Sequence, residues 1–188
     1  MPRITLIGYR GTGKSTVAEI LSHLSNVPWC DADSWLEEKL GCSITTLVRE
    51  QGEDLFRDEE SLLLKELLAG FSGVLATGGG VVLRQHNREL LRSAGRPTVW
   101  LTASAGVVRS RLALDPTTAQ RRPALSGTDP LAEVASALEA REPLYRECAD
   151  LIIDTQSQTA GQAARAIIDW LENQWPSTAA LLVEGPIQ

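Results

Sequence analysis

The chain has 188 residues, of which 43% are hydrophobic and 22% charged, and its formal net charge is −6. These proportions are typical of a globular protein with a full hydrophobic core, and they predict one domain over residues 1–175 with a short tail at 176–188. The acidic balance argues against nucleic acid and against anionic membranes as partners, because both favour a basic surface.

The number and spacing of the cysteines and the length of the apolar runs indicate the cellular compartment of the protein. Cys30, Cys42 and Cys148 form no C-x-x-C pair and are odd in number, so they predict reduced thiols that pack in the protein. No apolar run reaches the length of a membrane span, and the N-terminus enters a predicted strand too early for a signal peptide. We therefore expect a cytoplasmic protein.

The first predicted strand, at 3–8, leads into a glycine-rich segment and then into a helix over 14–25. Residues 8–15 read G-Y-R-G-T-G-K-S, which fits G-x-x-x-x-G-K-[ST] at the strand-to-helix turn that the motif requires. Backbone N–H groups and the positive end of the helix dipole hold a polyphosphate there, and a chance glycine turn is the competing interpretation. Lys14 is expected to reach the outer phosphates and Ser15 to ligate the accompanying Mg²⁺. The predicted nucleotide-binding residues are Gly11, Thr12, Gly13, Lys14, Ser15 and Thr16.

The rest of the chain alternates strands with helices. Further strands are predicted at 28–30, 73–77, 97–102 and 151–154. Further helices are predicted from 35 and over 43–51, 53–68, 86–94, 104–113, 130–148 and 159–174. The stretch at about 114–129 has no clear period and is typical of a mobile lid or a disordered segment.

Strands separated by helices predict an α/β fold, a three-layer αβα arrangement around a five-stranded parallel sheet. Ligands bind beyond the carboxyl ends of the strands in such sheets. The segments 8–15, 31–33 and 78–80 each follow a predicted strand. We therefore expect all three to line one edge of the sheet.

Two carboxylates follow the second strand. Asp31 is the candidate to approach Mg²⁺, through water, because Mg²⁺ keeps much of its hydration shell. Asp33 is then placed to accept a hydrogen bond from a substrate hydroxyl, and it is the candidate to take its proton. The alternative is a helix N-cap, since Asp33 or Ser34 precedes a helical pattern.

Bare backbone and isolated arginines complete the candidate site. Gly78, Gly79 and Gly80 let a small ligand lie against the main chain, with a flexible turn as the alternative. Arg57 has Glu60 three residues later on the same helix face, where a carboxylate can hold the guanidinium. Arg141 is a second isolated cation, although a single arginine is more often a solvated surface residue.

In this order the motifs resemble those of the shikimate kinase family, over about residues 3–172. The resemblance is carried by the phosphate loop, Asp31 with Asp33, Phe56-Arg57, the triple glycine, Arg122-Pro123, and Arg141 with Leu144-Tyr145-Arg146. It implies a fold of the P-loop NTPase type and transfer of the γ-phosphoryl group of ATP to the 3-hydroxyl of shikimate, with Mg²⁺ as cofactor. It also implies a step of aromatic amino acid biosynthesis, and we expect a monomer.

The resemblance also implies roles for individual residues. Arg57 and Arg141 grip the shikimate carboxylate, Asp33 holds the ring hydroxyls and Glu60 supports the pocket. Arg111 lies near the adenine, and Arg122 closes over the ATP phosphates. Arg121 is adjacent to Arg122, and of the two we assign the phosphate contact to Arg122 because it precedes Pro123, as in the family. The implied catalytic residues are Lys14, Asp33 and Arg122. The implied substrate-binding residues are Asp33, Arg57, Glu60, Gly78, Gly79, Gly80 and Arg141, and the implied metal ligands are Ser15 and Asp31.

Two other interpretations stay open. One is a different small-molecule kinase with the same phosphate loop, such as a gluconate or nucleoside-monophosphate kinase. The other is a nucleotide-dependent switch or binding module without an acceptor, which leaves Asp33, Arg57 and Arg141 without a role.

Overall fold

The structure is a computed structural model, and it describes residues 3–114 and 130–183. Its centre is one sheet of five parallel strands in the order β2-β3-β1-β4-β5. The strands are β1 Ile4–Ile7, β2 Trp29–Asp31, β3 Val74–Ala76, β4 Thr98–Thr102 and β5 Leu151–Asp154. The predicted five-stranded parallel sheet is therefore confirmed, and β1, which carries the phosphate loop, lies in its middle.

Helices connect the strands. Those of the described residues are α1 Lys14–Ser25, α2 Ala32–Leu40, α3 Ile44–Gln51, α4 Glu53–Gly70, α5 Gln85–Ala94, α6 Ala105–Leu114, α7 Pro130–Cys148, α8 Ala160–Gln174 and α9 Pro176–Val183. A short 3₁₀ helix, Val81–Leu83, precedes α5. Local sequence explains several starts: Ser43 caps α3 through Thr46 N, and Thr159 forms a capping box with Gln162 at α8.

Helices cover both faces of the sheet, although Ile152 of the edge strand β5 is exposed. Along β1, Ile4 and Leu6 belong to the apolar cluster that α1 and α8 cover, whereas Ile7 belongs to the cluster that α4 and α7 cover. Side chains of successive strand residues point to opposite faces, and both faces of a parallel sheet are covered, so all four residues of β1, Thr5 included, are buried. The predicted three-layer arrangement follows directly from this pattern. None of the described helices is long and apolar enough to cross a lipid bilayer.

The end of the chain differs from the expectation. No element was predicted after Pro176, yet α9 occupies Pro176–Val183, and Ala179 is buried in the cluster that contains α1 and α8. The N–H at the first position of a helix has no partner within the helix, so proline, which lacks this N–H, loses no hydrogen bond there. Pro176 therefore begins α9 instead of ending the ordered part of the chain. The predicted lid beyond Leu114, together with Arg121, Arg122 and Pro123, lies outside the described residues.

Candidate functional site

One cleft of about 730 Å³ lies at the carboxyl ends of the strands. Its walls include Lys14, Ser15, Asp33, Arg57, Gly79 and Arg141. These residues come from the phosphate loop, the end of β2, the long helix α4, the glycine segment after β3, and α7. The sequence predicted that distant segments meet at one edge of the sheet, and the structure brings them together there.

The phosphate loop has the backbone that its glycines predict. Gly13 has φ 91°, and a Cβ on Gly8 would lie 2.3 Å from the carbonyl oxygen of Leu101, so neither position accommodates another residue without strain. Lys14 is buried, and its Nζ donates to the carbonyl oxygens of Gly8 at 2.9 Å and Tyr9 at 3.0 Å. These bonds hold the ammonium group across the loop. A nucleotide phosphate can take the place of the two neutral carbonyl oxygens as its acceptor.

The two predicted metal ligands are in contact. Ser15 Oγ donates to Asp31 Oδ2 at 2.5 Å, and Asp31 Oδ1 accepts from Ser34 N at 3.1 Å. Asp31 is therefore also the N-cap of α2, and the alternative that Asp33 or Ser34 is the cap is wrong because the helix begins at Ala32. A hydroxyl and a carboxylate fit Mg²⁺, which takes few protein ligands and completes its shell with water and phosphate oxygens. Among residues 3–114 and 130–183 there is no cluster of three His, Cys, Asp or Glu that could hold an ion alone.

Arg57 is fixed by two carboxylates of its own helix. Its Nη1 donates to Glu60 Oε2 at 2.7 Å and its Nη2 to Glu53 Oε1 at 2.9 Å, and Arg57 and Glu60 are both buried. Burial by itself lowers the pKa of the guanidinium, but the charges and hydrogen bonds of Glu60 and Glu53 outweigh it, so the pKa of Arg57 is raised. Arg57 is therefore a permanent, rigidly held cation, and the predicted contact with Glu60 is present.

Close packing explains the triple glycine. A Cβ on Gly78 would lie 2.6 Å from Asp33 Oδ1 and 2.7 Å from Glu60 Oε1, and a Cβ on Gly80 would lie 2.2 Å from Arg57 Nη1. The side chains of the acceptor region thus rest against bare main chain. These contacts account for the glycines better than a flexible turn does.

The middle glycine of this segment, Gly79, is held by α7. The carbonyl oxygen of Gly79 accepts from Arg141 Nη1 at 3.1 Å and from the Tyr145 hydroxyl at 2.5 Å. Burial raises the pKa of Tyr145, so the phenol stays protonated and donates. The Arg141 guanidinium also lies 5.2 Å from the centroid of the Tyr9 ring. In the described part of the chain Arg141 pairs with no carboxylate, so its charge is available to an anionic ligand.

Arg111 lies on the other side of the phosphate loop. Its Nη1 donates to the Gly11 carbonyl oxygen at 3.3 Å and to Thr155 Oγ1 at 3.0 Å, and its Nη2 donates to the Thr155 carbonyl oxygen at 2.6 Å. It lines the cleft on the nucleotide side. Its predicted place near the adenine stays a prediction, as do the roles assigned to the other site residues.

Four residues of the site, Glu53, Tyr145, Tyr9 and Thr155, were given no role from the sequence. Glu53 stands four residues before Arg57, and Tyr145 stands four residues after Arg141, so helical spacing could have found both. Tyr9 and Thr155 carry no such signal, because their partners are distant in the sequence.

The central phosphate loop, the parallel sheet and the adjoining pocket of arginines define a P-loop kinase that acts on a small anionic acceptor. A family model described as "Shikimate kinase" matches residues 10–172. The chain belongs to the shikimate kinase family, which uses ATP, and the resemblance seen in the sequence is thereby confirmed.

The relatives agree with this assignment. A shikimate kinase of Rhodopirellula baltica is 40% identical over 163 residues, which cover 87% of each chain. One from Nitratidesulfovibrio vulgaris is 45% identical over 151 residues, covering 80% of this chain and 85% of the relative. Among solved structures, a shikimate kinase from Acinetobacter baumannii in complex with shikimate has a TM-score of 0.83 and 34% identity, covering 92% of this chain and 94% of the other.

Proposed function

We propose that the protein transfers the γ-phosphoryl group of ATP to the 3-hydroxyl of shikimate, giving 3-phosphoshikimate and ADP, as a step of aromatic amino acid biosynthesis. One observation carries the proposal: Arg57 and Arg141 line the same cleft as Lys14. A site for polyphosphate and a site for a small carboxylate are thus adjacent.

The acceptor half suits a hydroxylated acid. Arg57 presents a planar fork that suits a carboxylate, and its two glutamate partners hold it in one orientation. Arg141 adds a charge that no described carboxylate neutralises. Asp33 lines the same wall and has oxygens for the ring hydroxyls. A nucleotide base has no carboxylate for the arginines to bind, so a nucleoside-monophosphate acceptor fits less well.

Phosphoryl transfer depends on positioning and on neutralising charge, with little covalent chemistry from the protein. Lys14 offsets negative charge on the outer phosphates. Asp33 orients the acceptor hydroxyl and takes its proton. Ser15 and Asp31 would hold Mg²⁺ together with the nucleotide, and the ion would supply further positive charge at the phosphates. Arg122, outside the described residues, is predicted to add charge from a lid over the nucleotide.

The test is a coupled assay of ADP release with shikimate, gluconate, AMP or no acceptor. We expect release to depend on shikimate. In the Arg141→Met variant the shikimate KM should be about tenfold higher, because loss of a hydrogen bond to a charged group weakens binding by about this factor. The ATP KM should be unchanged.

Arg146→Met is the matched control for Arg141→Met, because Arg146 is exposed on the same helix and pairs with Glu142 at 2.9 Å. It should behave as the wild type. Faster ADP release with gluconate or AMP than with shikimate would favour the other kinases. Tight nucleotide binding without any acceptor-dependent release would instead indicate a switch.

The monomeric state, the cytoplasmic location, the lack of nucleic-acid and membrane partners, and the domain limits of 1–175 stay predictions.

A further inference from the structure

We infer that Thr155 is a positioning residue for the nucleotide half of the site, where its hydroxyl fixes one peptide of the phosphate loop and the orientation of Arg111. The inference takes the reaction from the proposed function, but nucleotide binding alone can test it. Thr155 directly follows β5, is 4% exposed, and lines the cleft. No sequence motif singles it out.

The hydrogen bonds of Thr155 assign the direction of its hydroxyl proton. Its Oγ1 lies 3.1 Å from the carbonyl oxygen of Thr12 and 3.1 Å from that of Thr102. A hydroxyl has one proton to donate. The Thr102 carbonyl already accepts the N–H of Thr155 at 2.8 Å. We assign the hydroxyl proton to Thr12 O, because the Thr102 carbonyl already has one donor in the Thr155 N–H, and a lone pair of Oγ1 accepts from Arg111 Nη1.

This bond orients the phosphate loop. The C=O and N–H groups of a planar trans peptide point in opposite directions. With its carbonyl turned to Thr155, the peptide between Thr12 and Gly13 turns the Gly13 N–H to the other side. The preceding peptide behaves likewise, since the Gly11 carbonyl accepts from Arg111 while the Thr12 N–H donates to Tyr9 O at 3.3 Å, within the loop. The Thr12 N–H is thus satisfied within the loop, and the Gly13 N–H is the group whose direction the Thr155 bond sets for a phosphate.

The same residue sets the direction of Arg111. Thr155 accepts from both terminal nitrogens of the guanidinium, through Oγ1 at 3.0 Å and its carbonyl oxygen at 2.6 Å. Over residues 3–114 and 130–183, Arg111 forms no ion pair with a carboxylate, so no described carboxylate offsets its charge in the cleft. The bonds of Thr155 to other elements go to α6, β4 and the phosphate loop, and none goes to the arginines of the acceptor half. Its effect should therefore fall on the nucleotide.

The experiment compares Thr155→Val, which keeps the shape and removes the hydroxyl, with Thr155→Ser, which keeps the hydroxyl. Calorimetry measures the Kd of ADP, and steady-state kinetics measure both KM values. Thr155→Val leaves Thr12 O and Arg111 Nη1 without the hydroxyl partner. An unpaired buried polar group costs about a tenfold loss of affinity or more, so the ADP Kd and the ATP KM should rise about tenfold. The shikimate KM should change less than about twofold, and Thr155→Ser should bind ADP within about threefold of the wild type.

Thr98→Val is the matched control. Thr98 is fully buried at the opposite end of the sheet, and its Oγ1 donates to Gly95 O at 3.2 Å. This variant should lower the melting temperature and leave the ADP Kd unchanged. If Thr155→Val does not fold, Thr155→Cys, whose thiol is a weak donor, should show the same loss of ADP affinity.

Unchanged ADP affinity in the Val or Cys variant would overturn the inference. So would a Ser variant as weak as Val, or an equal rise in both KM values. The proposed function fails separately: if the wild type binds ADP but does not phosphorylate shikimate, and Thr155→Val still weakens ADP, the role of Thr155 stands and the assigned reaction does not.

Discussion

Adding one methyl group at Gly80 should damage the acceptor pocket. The backbone of Gly80, with φ −106° and ψ 1°, is open to alanine, so the effect comes from contact alone. The new Cβ would lie 2.2 Å from Arg57 Nη1 and 2.7 Å from Arg57 Cζ. Atoms of this size prefer about 3.5 Å or more, so the guanidinium must retreat by about 1 Å.

That retreat disturbs the bonds of Arg57 to Glu60 at 2.7 Å and Glu53 at 2.9 Å. A misplacement of about 1 Å in a binding group costs about 10²-fold, so kcat/KM for shikimate should fall about 30- to 100-fold in Gly80→Ala, mainly through KM. Overpacking of a buried site costs about 1–3 kcal/mol. For a chain of this length, the melting temperature should then fall by about 2–10 °C.

The coupled ADP-release assay, with shikimate varied at saturating ATP, measures the first effect, and thermal unfolding measures the second. Gly70→Ala is the control, because Gly70 ends the same helix α4 and a Cβ there meets no atom within 4 Å. It should be neutral or slightly stabilising. A Gly80→Ala variant with the wild-type KM for shikimate would refute the place given to Arg57.

Two further substitutions test the site, and a thiol-labelling experiment tests the burial of the cysteines. Lys14→Ala should lower kcat about 10³-fold, as expected for loss of a charge that stabilises the transferring group, and near-normal turnover would contradict this. Arg57→Lys should raise the shikimate KM about tenfold, because an ammonium cannot replace the two-pronged hydrogen bonding of a guanidinium; an unchanged KM would count against the assignment. Burial, reinforced by Asp31 for Cys30 and by Glu147 for Cys148, raises the pKa of Cys30 to about 12 and that of Cys148 to about 11. Since the thiolate is the reactive form, Ellman's reagent at pH 8 should modify only Cys42 quickly, and the two buried thiols should react faster as the pH approaches their pKa values. Three fast thiols at pH 8 would show that this burial is wrong.

Local patterns predicted most of the fold. The apolar strand before the phosphate loop, the helix that starts at Ser43 and the pairing of Arg57 with Glu60 all depend on neighbours within four residues. Such contacts are fixed by helix and strand geometry, so the sequence displays them. The triple glycine was recognised as a bare rim, but only coordinates show which side chains lie against it.

Several of the parts that were missed depend on contacts between distant segments. Thr155 bonds to Thr12, 143 positions earlier, and no periodicity encodes that approach. Asp31 is at once the N-cap of α2 and the partner of Ser15. The sequence analysis gave the metal role to Asp31 and the N-cap to Asp33 or Ser34. The helix at Pro176–Val183 was missed because proline marks the start of a helix as readily as its end.

The two halves of the candidate site come from different parts of the chain. Asp33, Arg57 and Glu60 all belong to one continuous stretch between the neighbouring strands β2 and β3, while the phosphate loop leaves the central strand β1. Under the proposed function this stretch supplies much of the acceptor site, whereas Arg141 comes from α7. Grafting residues 32–73 between kinases of this fold, with the residue at position 141 matched, is therefore a practical starting point for changing which alcohol receives the phosphate.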